Sequence, residues 1–259
     1  MSELPELLKV EGLNVKLGRR KVLEDVDLSI GPGEFVVVVG PNGAGKTTLL
    51  KAAAGLLPSK GKIAIGGEDL SRLSAPERAR RIAYLPQGHV FHWPLAVQEI
   101  VGLGRLPRSA GADLSVADAE AVVRAMAATG VTEHARRSVT NLSGGERARV
   151  ALARVLATEA PILLADEPTA SLDPRYQLVV LDILHRHAKA GGAVVAVLHD
   201  LGLAARRADR IVVLDQGRVV ADGAPREILT KQRLVETFGV KAQIVTLVDA
   251  PVVIPWSVA

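Results

Sequence analysis

Residues 35–47 read Phe35-Val36-Val37-Val38-Val39-Gly40-Pro41-Asn42-Gly43-Ala44-Gly45-Lys46-Thr47. Five consecutive apolar residues predict a strand buried on both faces, the pattern of a parallel sheet covered by helices. The eight that follow fit G-x-x-x-x-G-K-[ST], which carries its meaning only between a buried strand and a helix. A helix is predicted over 47–56, so the context is met. Glycines let successive backbone N–H groups turn inward on phosphate oxygens, and the helix N-terminus adds partial positive charge. In that arrangement Lys46 reaches the β- and γ-phosphates and the Thr47 hydroxyl binds Mg²⁺. The candidate phosphate cradle is Gly40, Pro41, Asn42, Gly43, Ala44, Gly45, Lys46, Thr47 and Thr48.

Upstream, residues 7–30 alternate apolar and polar and predict a small antiparallel sheet, closed by the turn Gly31-Pro32-Gly33-Glu34. Downstream, strand signals recur at 62–65, 82–85, 162–165, 193–198 and 211–215, with helical patterns between most of them. Alternating strands and helices predict an α/β layered sheet of mostly parallel order. Between about 91 and 157 the texture changes to Ala-rich helix, including 117–129 and 146–157, and a helical subdomain inserted into the core is expected. The tail after Phe238 holds two apolar stretches, 244–248 and 252–254, read as one last strand. The expected division is 1–34 antiparallel, 35–90 and 158–220 α/β core, 91–157 helical, and 221–259 a C-terminal extension of a single domain.

Ile162-Leu163-Leu164-Ala165-Asp166-Glu167 is a second buried strand, ending in two acids. By itself the pair could serve only the dipole of a following helix. Beside a phosphate loop it falls in the crevice where α/β sheets bind ligands. Asp166 would hold Mg²⁺ through its water shell, and Glu167 would orient the attacking water and act as general base. Leu142-Ser143-Gly144-Gly145-Glu146 precedes another helix. Ser143 and the two glycines could form a second anion site, and S-x-x-E is equally a capping box; the local pattern does not separate the two.

Composition narrows the function classes. The 259 residues include 32 basic and 28 acidic ones, a net +4, and no cysteine, which removes thiol catalysis, thiolate zinc sites and disulfides. The basic residues are scattered and the chain has two Trp, two Tyr and three Phe, too few for a base-stacking platform, so no nucleic-acid partner is expected. The opening residues lack the basic-then-apolar build of a signal peptide, and no run reaches the roughly 20 apolar residues of a membrane span. Five of the six histidines, His89, His92, His134, His185 and His187, show no metal-ligand arrangement with acids or cysteines, and zinc is not expected.

The phosphate loop, Leu142 to Glu146, and the strand ending Asp166-Glu167-Pro168-Thr169 together resemble an ATP-binding-cassette (ABC) ATPase, whose signature reads LSGGE or LSGGQ. The resemblance covers nearly the whole chain and implies a P-loop NTPase α/β core with an N-terminal antiparallel β subdomain and an inserted α-helical subdomain. It implies ATP and Mg²⁺ as cofactors. It implies that Gln87, after Tyr84-Leu85-Pro86, links the γ-phosphate and Mg²⁺ to a membrane partner, that Ser171-Leu172-Asp173 lies at a dimer seam, and that His199 is a switch histidine on the γ-phosphate. Ser143, Gly144, Gly145 and Glu146 would then cover nucleotide held by a second copy of the chain. One departure stands out: where the family places an aromatic to stack on adenine, this chain has Leu17.

Transport follows from the same resemblance. The implied partners are polytopic membrane permease subunits and, indirectly, an external substrate-binding protein, with the chain peripheral on the cytoplasmic face of the cell membrane. Phe91 and Trp93, next to Gln87, could anchor a membrane subunit or belong to the helical core. Residues 97–107, Val-Gln-Glu-Ile-Val-Gly-Leu-Gly-Arg-Leu-Pro, resemble ATPases of iron-siderophore, haem and vitamin B12 importers, which points to import of an iron chelate. Alternatives are the ATPase subunit of an exporter and a soluble non-transport ABC ATPase.

Overall fold

The computed structural model describes residues 6–88, 90–108, 114–170, 172–247 and 250–259. The chain opens with β1 (Leu8–Leu17) and β2 (Arg20–Ile30), turns through Gly33 into β3 (Phe35–Val39), and enters α1 (Lys46–Ala53). It continues through β4 (Lys60–Ile65), β5 (Glu68–Asp69), α2 (Ala75–Arg81) and β6 (Ile82–Leu85). The helical part follows as α3 (Val97–Gly102), α4 (Val116–Thr129) and α5 (Gly144–Leu156). Next come β7 (Ile162–Asp166), α6 (Pro174–Lys189), β8 (Ala193–Val197), α7 (Leu201–Arg207), β9 (Arg210–Asp215) and β10 (Arg218–Gly223). The chain ends in α8 (Pro225–Ile228), α9 (Lys231–Phe238), β11 (Val240–Leu247) and β12 (Ala250–Val258).

Six strands form the central sheet in the order β10-β9-β3-β8-β7-β6, parallel except for β10. All five residues of β3, β7 and β8 are buried, as continuous apolar runs require when both faces are covered. The strand period of two divides them between two cores. Phe35, Val37, Val39, Leu163 and Ala165 face α5, α6 and α7, whereas Val36, Val38, Ile162 and Leu164 face α1 and the antiparallel sheet.

Two expectations are corrected. The strand over 62–65 does not belong to the α/β alternation: β4 pairs antiparallel with β1, giving a second sheet of order β2-β1-β4-β5 that reaches well past residue 34. Periodicity cannot distinguish these partners, because Ile63 and Ile65 are buried in either sheet. The tail does not form one strand either. Its two apolar stretches lie on β11 and β12, which pair with each other, Leu247 opposite Ala250 and Val240 opposite Val258.

The helical part has its own core of Val97, Ile100, Val101, Val122, Met126 and Val150. Helix α5 is apolar on two sides. Val150 and Ala153 face that core while Ala151, Leu152 and Val155 pack on the central sheet, so α5 joins the helical part to the sheet.

Candidate functional site

The sheet order puts four strand ends in a row. β3 ends in the phosphate loop, its neighbour β8 is followed by His199, the next strand β7 ends in Asp166-Glu167, and the edge strand β6 leads to Gln87. Residues more than 150 positions apart are therefore adjacent along one carboxyl edge, where open α/β sheets bind ligands.

At the first of these ends, Gly40 has φ +153° and a Cβ there would lie 1.9 Å from the Leu214 carbonyl oxygen, so no side chain fits between β3 and β9. Gly45 caps α1 with φ +105°, in the left-handed region that glycine alone enters without strain, and a Cβ would meet Leu23 Cδ2 at 2.8 Å. The Ala44 carbonyl accepts from Gly217 N–H at 3.0 Å, and the Gly217 carbonyl accepts from Glu24 N–H at 2.9 Å. The β9–β10 turn thus ties the phosphate loop to β2. Lys46 is buried, and its Nζ donates to the Gly40 and Pro41 carbonyls at 2.8 and 2.9 Å. Burial holds its pKa below the ordinary 10.5, against the nearby carboxylates of Glu167 and Asp166.

Asp166 is fully buried. Thr47 Oγ1 donates to its Oδ1 at 3.0 Å and the Tyr84 hydroxyl to its Oδ2 at 3.3 Å. Burial raises the Asp166 pKa and the two hydroxyls oppose the rise. Burial, with Asp166 opposite, pushes the Tyr84 phenol well up, so Tyr84 remains a donor. Glu167 sits at φ +53°, a left-handed conformation that a non-glycine residue adopts at a cost, with its N–H on the Val197 carbonyl at 3.2 Å. Its two carboxyl oxygens are held from opposite sides, Oε2 by Gln87 Nε2 at 2.8 Å and Oε1 by His199 Nε2 at 2.6 Å.

A cleft of about 450 Å³ runs along this edge, lined by Asn42, Gly43, Lys46, Thr47, Glu167 and His199 among others. Leu17, Arg20 and Val22 of the β1–β2 hairpin form its remaining wall. Arg20, Val22 and Tyr84 carried no motif, and no signal in the sequence would have selected them.

Ser143, Gly144, Gly145, Glu146 and Asp173 do not line this cleft. Ser143 caps α5: its Oγ accepts from Glu146 N–H at 3.3 Å while Glu146 Oε2 accepts from Ser143 N–H at 2.7 Å. The capping reading therefore holds. Glu146 also contacts the buried His134, Nε2 to Oε1 3.1 Å. Asp173 caps α6 through Tyr176 N–H at 3.0 Å, and Ser171 lies outside the described residues. The two aromatics after Gln87 separate: Phe91 packs into the cores, whereas Trp93 is 71% exposed.

Residues 23–170 match the family model described as ABC transporter. The chain belongs to the ABC transporter family. This ABC ATPase is 51% identical over 228 residues to the hemin import ATP-binding protein HmuV of Streptomyces coelicolor, covering 88% of this chain and 81% of that protein. It is 46% identical over 243 residues to the cobalamin import ATP-binding protein BtuD of Halobacterium salinarum, covering 92% of this chain and 60% of that one. Among solved structures, an inward-facing putative metal-chelate type ABC transporter superposes with a TM-score of 0.82 at 26% identity, covering 98% of each chain. The family's ATP-binding proteins are ATP hydrolases, and this chain is one by membership.

Proposed function

We propose that the chain is the ATP-hydrolysing subunit of an importer for an iron chelate, haem foremost, working as a pair of identical copies beneath membrane permease subunits on the cytoplasmic face. The observation that carries the ATPase half is the Gln87–Glu167–His199 contact set, placed beside Lys46 and Thr47 at one sheet edge. The import half is supported by the likeness to the hemin and cobalamin import proteins.

ATP lies with its phosphates on the loop N–H groups and Lys46. Thr47 Oγ1 and the Asp166 carboxylate, 3.0 Å apart, are hard oxygen donors suited to Mg²⁺, with Gln87 the third candidate ligand. A divalent ion held by these residues would supply positive charge against the phosphates of the nucleotide. Glu167 is the general base. Both of its oxygens have protein partners, so accepting a proton from water requires one of them to exchange its partner for that water. Where that oxygen is Oε1, His199 Nε2 becomes available to the γ-phosphate. The Leu142–Glu146 and Asp173 regions, which do not line this cleft, serve the nucleotide of the second copy. Among the described residues no helix is long and apolar enough to cross a membrane, and exposed Trp93, which follows Gln87 closely in the chain, is the anchor offered to the permease.

The test is copurification from detergent-extracted membranes followed by reconstitution. Recovery with a polytopic subunit, and ATP-dependent uptake of haem ahead of ferric siderophores and cobalamin, supports the reading. Recovery only with ribosomes or DNA sinks it.

A further inference from the structure

The turn that precedes the Leu142–Glu146 segment carries a buried histidine whose two ring nitrogens meet opposite charges. His134 is 7% exposed. On one side its Nε2 lies 3.1 Å from Glu146 Oε1 and 3.5 Å from Glu133 Oε1; on the other its Nδ1 lies 3.4 Å from an Arg137 guanidinium nitrogen. A carboxylate only accepts and a guanidinium only donates, so these contacts specify a neutral ring with its hydrogen on Nε2. Hydrogen bonds from Ser143 hold the Glu146 carboxyl below its ordinary range, which keeps it an acceptor. The turn is itself pinned to the start of α3. Gln98 N–H donates to the Ala135 carbonyl and Val97 N–H to the Arg137 carbonyl, each at 3.0 Å, so the ring is held where Glu146 meets it.

We infer that His134 is a positioning residue for the Ser143–Glu146 segment: it holds the Glu146 carboxylate off the Gly144 and Gly145 N–H groups, which stay open to a phosphate of the nucleotide carried by the second copy. The inference rests on the two-copy arrangement proposed above. The first N–H groups of α5 have no intrahelical acceptor, and the space outside Gly144 is open, with nothing within 4 Å of a Cβ built there. A negative charge in the first turn is drawn to such groups by the helix dipole. Glu146 is the acidic residue of that turn, and a loosely held carboxylate there competes with phosphate for the same donors. Here both of its oxygens are held. Oε2 accepts from Ser143 N–H at 2.7 Å, and His134 takes Oε1. Ser143 Oγ accepts from Glu146 N–H at 3.3 Å and keeps its own hydrogen to donate.

The test uses the full-length chain in a Glu167→Gln background, where slow hydrolysis lets ATP-driven pairing of two copies be read by sedimentation. Into it go His134→Gln, whose amide N–H can stand in for Nε2–H, His134→Asn, whose shorter amide cannot reach, and His134→Leu, which fills the space without a donor. ATP titration at concentrations too low for pairing should give affinities within about twofold of the parent, since His134 does not line the cleft of its own copy. Pairing with ATP should weaken about tenfold in the leucine and asparagine variants and less than about threefold in the glutamine variant, the scale of a remote change that misplaces a contact. With Glu167 restored, the turnover number at saturating ATP should follow the same order. Adding His134→Leu to Ser143→Ala should cost little beyond Ser143→Ala alone, because both act through one segment. Parental pairing in the leucine variant, a glutamine variant as weak as leucine, or a loss of ATP affinity equal to the loss of pairing each overturns the inference. Should the leucine variant fail to fold by circular dichroism, the contrast between glutamine and asparagine decides the same question. If the parent itself does not pair on ATP, the two-copy reading is wrong.

Discussion

His199 Nε2 lies 2.6 Å from Glu167 Oε1, although 32 residues and all of α6 separate them in the chain. Since a carboxylate only accepts, that nitrogen carries the hydrogen, and the imidazole is oriented by the acid it touches. Glu167→Gln should keep ATP affinity within about twofold and lower the hydrolysis rate by about 10²–10⁴-fold, the worth of a positioned base. Nucleotide titration and phosphate release measure the two; unchanged hydrolysis removes Glu167 from the role.

The same contact predicts coupling. His199→Ala should lower the rate at saturating ATP, and the Glu167→Gln/His199→Ala double variant should be little slower than Glu167→Gln alone, because groups acting as a unit are not additive. Rates that multiply across the double variant would show that the two side chains act independently.

Gly40→Ala places a Cβ 1.9 Å from the Leu214 carbonyl, where only backbone movement makes room. Overpacking of this kind costs about 1–3 kcal/mol. A lower melting temperature together with weakened ATP binding is expected, because the displaced atoms are the phosphate cradle. A protein of wild-type stability would contradict the close approach of β3 and β9.

Buried Arg105 ties the helical part to the core, its Nε on Asp118 Oδ1 at 2.7 Å and its Nη1 on the Ala157 carbonyl and Glu159 Oε2 at 2.7 and 2.8 Å. Arg105→Met removes the charge while filling the space and leaves Asp118 without its countercharge, held only by the Ser115 hydrogen bonds, so a loss of more than about 1 kcal/mol by chemical denaturation is expected. A change below about 1 kcal/mol would mean that water reaches the pair.

Asp118 makes this link pH-dependent. Hydrogen bonds from Ser115, and then from Arg105, depress its pKa from 3.8 to about 2. A carboxyl depressed in the folded state stabilises above its unfolded pKa, and the contribution is lost as pH falls from about 4 toward 2. Asp118→Asn should be less stable at neutral pH and should show a shallower stability loss across that window, read from melting temperature against pH. An identical slope in the variant would assign the acid sensitivity to other groups.

Much of the site was legible in the sequence because its parts are contiguous. The phosphate loop, the Asp166-Glu167 strand end and the Ser143–Glu146 capping box are each set by short-range rules: a buried apolar run, glycines at special backbone angles, a cap. The stretch from Val97 to Pro107, read as a mark of the transporter branch, also has a local physical account. Val97, Ile100 and Val101 fill the helical core, a Cβ on Gly104 would lie 2.2 Å from the Arg154 carbonyl, and Arg105 makes the buried link. These residues build the helical part, whichever chelate is carried.

The sequence by itself determined that a phosphate loop, a terminal acid pair and a histidine exist, each at the end of a buried strand, because those patterns depend on neighbours a few residues away. It did not determine their order in space. The arrangement β3-β8-β7-β6, which inserts His199 between the phosphate loop and Glu167 and brings Gln87 to the far side, is a matter of strand pairing between distant segments. Hydrophobic period specifies which face of a strand is buried and is silent on which strand lies beside it. For the same reason only the tertiary structure assigned β4 to the antiparallel sheet and brought Arg20 to the wall of the cleft.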